Sequence, residues 1–120
     1  MSRTRDKLFE ECKRKLLKTR QDVLSGLRSL QSSLSVEITG DEGDMASALE
    51  GQNTSLVQRE RMLRELTEID AALQRIDTGT YGVCEETEEP IEDDRLLAIP
   101  WTRLSLDGAE TRERLQKRFA

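Results

Sequence analysis

The chain has 120 residues, of which 36% are charged, 35% hydrophobic and only 3% aromatic, with a formal net charge of -5 and no histidine. A chain this short buries only about two thirds of the surface its unfolded form exposes, so its core is small and Leu-rich helices suit it better than a broad packed interior. The acid excess argues against direct DNA binding, which starts from Lys and Arg neutralising phosphates, and the missing histidine removes the commonest general acid–base, so an enzyme is not expected.

The Met1 end carries Arg3, Arg5, Asp6 and Lys7, and no apolar run near it is long enough for a signal peptide or a membrane span. The chain is expected in the cytoplasm. Its two cysteines, Cys12 and Cys84, are too few for a disulfide framework, and a reducing compartment keeps both as thiols. A nitrogen and sulfur metal site would need carboxylates to complete it, and nothing in the residues themselves points to a cofactor.

From the N-terminus, Phe9, Cys12, Leu16, Thr19, Val23, Leu27, Leu30 and Leu34 recur at spacings of three and four, the stripe of an amphipathic helix. The first helix is predicted from about 5 to 35. A second stripe, Met62, Leu66, Ile69, Leu73 and Ile76, predicts a helix from about 45 to 77, with Leu56 and Leu63 extending its apolar face toward the N-terminus. Helices of about 30 residues run about 45 Å, too long for the remaining chain to wrap, so they bury their stripes on each other. The fold class is therefore mainly α: an antiparallel coiled-coil hairpin over 1–78.

The hairpin reverses through Ile38-Thr39-Gly40-Asp41-Glu42-Gly43-Asp44, two glycines among three acids, which puts an acidic tip at about 38–46. Asp44 suits the N-cap of the second helix. On composition alone, acids at such a turn serve equally well as plain solvated loop residues.

The second helix is predicted to stop at Asp77-Thr78-Gly79, where glycine takes the left-handed conformation. Residues 79–120 then form a small domain with core candidates Tyr81, Ile91, Leu96, Leu97, Ile99, Trp101, Leu104 and Leu106, and a short helix from about 107 to 118. The acids at 85–94 read as a solvated surface.

Within that domain, Tyr81-Gly82-Val83-Cys84-Glu85-Glu86-Thr87-Glu88-Glu89-Pro90-Ile91, followed by Arg95-Leu96-Leu97-Ala98-Ile99-Pro100, resembles the signature of the DksA/TraR family. That signature has an aromatic-Gly-x-Cys-x-x-Cys turn, an Ile soon after, and an Arg-Leu-x-Ala-x-Pro run before a second Cys pair. In register with it, Asp41-Glu42-Gly43-Asp44-Met45-Ala46 is similar to the family's Asp-x-x-Asp-x-Ala tip motif. The family's four zinc thiolates would fall on Cys84, Thr87, Ser105 and Gly108, of which only the first is cysteine. The resemblance thus implies a degenerate, zinc-finger-like domain lacking zinc ligands, with Cys84 a small buried hydrophobe rather than a reactive thiol.

The resemblance also implies a transcription regulator that binds bacterial RNA polymerase through its secondary channel. Asp41, Asp44 and Ala46 at the tip would act near the catalytic centre to modulate initiation, in the manner of the stringent response, and basic residues of the first helix (Lys13, Arg14, Lys15 and Lys18) would meet acidic channel walls. By the same alignment, the family's basic positions for guanosine tetraphosphate fall on Glu68, Ile99 and Ala109, none of which pairs with a phosphate. The chain starts later than longer family members, so a compact form is expected; separately, a monomer is expected. The alternative is a coiled-coil adaptor of the same fold that binds a different protein partner or associates with itself through its stripe.

Overall fold

Two helices follow from the two stripes. The computed structural model describes the backbone of residues 2–38 and 45–119 and the side chains of residues 5–32 and 53–118. Four helices follow in chain order: α1 (Ser2–Ile38), α2 (Met45–Thr78), α3 (Asp93–Ala98) and α4 (Leu106–Phe119). The reversal between α1 and α2, with Asp41 and Asp44, lies outside the described residues. So does the side chain of Ala46, whose backbone belongs to the first turn of α2.

α1 and α2 are antiparallel, because contacts advance along one as they retreat along the other. Phe9 meets Tyr81 just past the end of α2, Arg20 Nε donates to Asp70 at 2.7 Å, and Gly26 lies against Met62. Gly26 is a packing residue here: a Cβ would sit 3.1 Å from Met62 Cε, so the missing side chain brings the helices together. Among the described residues, burial is concentrated toward the base of the hairpin. Cys12, Leu16, Ile69 and Ala72 are fully enclosed and Val23 nearly so, with Phe9, Leu27, Met62, Leu66, Leu73 and Ile76 packed around them.

Two expectations about the stripe are corrected. Leu56 and Leu63 do not extend the apolar face of α2, being 49% and 37% exposed, because the helical rotation at those positions turns them away from α1. Ala72, absent from the predicted stripe, is buried because it lies one turn from Ile69 on the inner face.

α2 ends as a Schellman motif: Thr80 N–H donates to Arg75 O at 2.9 Å and Gly79 N–H to Ile76 O at 3.3 Å, with Gly79 at φ +80°. Beyond it, Tyr81, Ile91 and Leu96 are buried and continuous with the hairpin base, and Leu97, Trp101 and Leu104 pack against them. Two predicted core residues stay out of this cluster: Ile99 is only half-buried, and Leu106 opens α4 with 54% of its surface exposed. α3 is an unpredicted element of six residues, too short to show a periodic stripe.

α1 carries the small domain. Arg5 donates to Ile91 O at 2.7 Å and to Asp93 at 3.1 Å, and its guanidinium lies 5.3 Å above the Phe9 ring. Phe9 meets Tyr81 edge to face at 5.0 Å, and Tyr81 Oη donates to Pro100 O at 2.7 Å. Burial, with the Cys12 contact next, pushes the Tyr81 hydroxyl far above its ordinary range, and burial likewise raises the Cys12 thiol. Both stay neutral and serve packing. Cys12 and Cys84 are separate, free thiols.

Candidate functional site

The segment after α2 folds back on itself as a knuckle. Gly82 takes φ +86°, Val83 and Pro90 form an isolated antiparallel bridge, and Ile91 N–H donates to Gly82 O at 2.8 Å. Inside that bridge, Cys84 N–H donates to Glu89 O at 2.8 Å and Glu88 N–H to Cys84 O at 2.9 Å, with Glu88 in the left-handed region at φ 60°. Glu85 N–H donates to Arg103 O at 2.9 Å, which ties the knuckle to the strand-like approach to α4. Ser105 then caps α4: its Oγ accepts from Gly108 N–H at 3.1 Å, three residues on, and its carbonyl accepts from Ala109 N–H.

These turns bring Cys84, Thr87, Ser105 and Gly108 together. Cys84 is 1% exposed, and Ser105 is buried. Burial acts to raise the Cys84 thiol, but the Ser105 and Thr87 hydroxyls and the backbone groups of the same two residues outweigh it, pulling it down to about 6. The arrangement explains why. Thr87 Oγ1 accepts from Glu89 N–H at 3.3 Å and Ser105 Oγ from Gly108 N–H, so each hydroxyl has its proton left to direct at the sulfur. Cys84 is thus buried within the core cluster, with two hydroxyls drawn up to its sulfur.

An ion-pair network crosses from the knuckle to α2 and α4. Arg103 donates through Nε to Glu68 at 2.8 Å and through Nη1 to Glu85 at 2.8 Å, and Arg112 reaches Glu86 at 3.1 Å. Glu68 first and Glu85 second hold the Arg103 guanidinium above its ordinary value. Arg75 nearby is shifted the other way, by burial and then by Arg103, and donates to Trp101 O and Thr102 O. Glu92 accepts from Leu106 N–H at 3.1 Å and Asp93 pairs with Arg5, so much of the acidic run 85–94 is engaged by cations and N–H groups rather than simply solvated. No local pattern marks these pairs, since partners stand 18 to 35 positions apart in the Arg103 contacts.

Of the basic residues on α1, Lys15 donates to Leu97 O at 3.0 Å and Lys18 pairs with Asp22, while Lys13 and Arg14 are exposed. Glu68 is held by Arg103, and Ile99 and Ala109 are half-buried. Among the described residues, no group of three or more Cys, Asp or Glu is placed to hold a metal ion, and no helix is long and apolar enough to cross a membrane.

The RNA polymerase-binding transcription factor DksA of Caulobacter vibrioides is 36% identical over 114 residues, covering 93% of this chain and 80% of that protein. The chain belongs to the DksA/TraR family. Residues 79–114 match the prokaryotic dksA/traR C4-type zinc finger, and the structure of transcription factor DksA2 from Pseudomonas aeruginosa superposes with a TM-score of 0.86 at 32% identity, over 92% of this chain and 86% of that one. General stress protein 16O of Bacillus subtilis is 30% identical over 95 residues, 73% of this chain and 58% of that protein. The family's fold, a coiled-coil hairpin with a small C-terminal domain, is the fold of this chain.

The family's zinc does not fit the residues at its site. Zinc in a structural site takes four donors of thiolate or imidazole strength. Here one thiol is joined by two neutral hydroxyls already engaged with backbone N–H groups and by Gly108, which has no donor.

Proposed function

We propose that this protein regulates transcription by binding RNA polymerase, entering the secondary channel with its hairpin and acting near the catalytic centre through Asp41 and Asp44, with Ala46 as a close-packed tip contact. The observation that carries this reading is the family match along 93% of the chain to an RNA polymerase-binding transcription factor, joined to the tip motif in the same register. Physical reach supports it. The molecule extends 63 Å along its longest axis, and α2 of 34 residues spans about 50 Å at 1.5 Å per residue. Such a rod projects a tip far from the domain that holds it.

Residues 1–78 supply the reach and residues 79–120 the grip, in a monomer working in the cytoplasm. Affinity comes from the broad flanks and the domain, whereas the tip carboxylates add charge where the dielectric is low and each charge counts for more than in water. Asp41→Asn with Asp44→Asn should abolish regulation in a transcription assay on a sensitive promoter while leaving binding to core polymerase largely unchanged. Full regulation by that variant, with equal binding, removes the tip from the mechanism.

A second reading rests on the outer face of α2, where Leu56, Val57 and Leu63 are 49%, 64% and 37% exposed. This face suits an adaptor of the same fold that meets a different protein through these exposed apolar side chains. A pull-down with core RNA polymerase separates the two: no capture favours the adaptor.

A further inference from the structure

In a C4 finger each sulfur stands about 2.3 Å from zinc, so the four sulfurs are held about 3.8 Å apart with a cation between them. In this chain the equivalent frame has closed. A Cβ built on Gly108 would overlap Cys84 Sγ and would also lie 3.3 Å from Ser105 Oγ and 3.4 Å from Glu86 Cβ. The Cys84 sulfur thus fills the ground between the knuckle and the first turn of α4, and α4 approaches it because residue 108 has no side chain.

The ties that zinc would supply are made by other groups. Thr87 and Ser105 hydroxyls, each fixed by a backbone N–H, face the sulfur from the two halves of the frame. Glu85 N–H donates to Arg103 O across the halves, and Arg103 and Arg112 clamp Glu85 and Glu86 over them. We propose that the domain is a closed, metal-free form of the family's finger, in which the Cys84 sulfur is the hub, Thr87 and Ser105 donate to it in place of a metal, and Gly108 is obligatory for closure. Its folding free energy is then independent of metal, in contrast to a finger that folds on its ion.

The test reads metal content and stability, so it stands apart from any result with polymerase. The full chain, purified without added metal, should carry far less than one zinc per molecule, and neither a chelator nor excess zinc should move its melting temperature. A stoichiometric zinc, or a melting temperature that falls with chelator, overturns the proposal. Closure itself is tested by a double-mutant cycle of Gly108→Ala with Cys84→Ala. Gly108→Ala in the parent should lower the melting temperature by about 5 °C or more, from overpacking against the sulfur. In the Cys84→Ala background the same change should cost less than about half as much, because the atom it strikes is gone. Should Gly108→Ala fail to fold, a folded double variant makes the same point. Equal costs in both backgrounds, or an unfolded double variant, would show that the sulfur does not fill the frame.

Discussion

Gly82→Ala should destabilise the protein more than Gly79→Ala, although both glycines hold left-handed backbones, at φ +86° and +80°. That conformation alone costs an L-residue about 1–2 kcal/mol. At Gly79 nothing lies within 4 Å of the added Cβ, so the conformational cost is the whole effect. At Gly82 the Cβ would sit 2.7 Å from Phe9 Cζ and 3.0 Å from Cε1. Phe9 has little room to yield, being edge-on to Tyr81 and covered by the Arg5 guanidinium. Overpacking of this kind adds about 1–3 kcal/mol. The totals are then about 2–5 kcal/mol for Gly82→Ala and about 1–2 kcal/mol for Gly79→Ala, and at about 4 °C per kcal/mol for a domain of this size the melting temperatures should separate by about 4–12 °C. Thermal and urea unfolding of both variants measures the gap, and Phe9→Ala should shrink it by removing the obstructing ring. Equal melting temperatures would refute the claim that α1 is locked to the knuckle through Phe9.

Leu16→Ala, at a fully enclosed position, should cost about 2–5 kcal/mol, whereas Leu17→Ala, next to it and 49% exposed, should cost well under half of that in the same urea titrations. The Cys84 thiol is held at about 6 against an ordinary 9.0, so the thiolate is favoured in the folded state and its stabilisation is complete above pH 9 and lost below pH 6. The difference in melting temperature between the parent and Cys84→Ala should therefore widen in the parent's favour from pH 6 to pH 9, and a pH-independent difference would count against that cage of donors. Guanosine tetraphosphate should leave the protein's effect on transcription unchanged, because Glu68, Ile99 and Ala109 offer no cation; the comparison subtracts the nucleotide's effect on polymerase alone, and clear synergy beyond it would contradict the prediction.

Periodicity made the hairpin legible. Spacings of three and four from Phe9 to Val23 and from Met62 to Ile76 place those residues along one side of each helix, and a long helix with one apolar side must bury it on another. The same rule failed where a residue's type was read without its phase: Leu56, Leu63 and Leu106 are apolar yet face outward, and Ala72 is small yet fully buried. α3 was missed because six residues span under two turns, too few for a repeat to register.

The residues of the knuckle were found as positions but not as chemistry. The frame of Cys84, Thr87, Ser105 and Gly108 is visible in the chain, and its shortage of thiolates follows from residue identity alone. What those residues do instead depends on contacts between segments about twenty positions apart: which carboxylate of the knuckle Arg103 reaches, and how near α4 comes to the sulfur. Local sequence determines helix phase and donor inventory because both act within a few residues. The balance between burial and hydrogen bonding at Cys84 was decided only by tertiary structure, since it is set by atoms that the fold alone brings within reach.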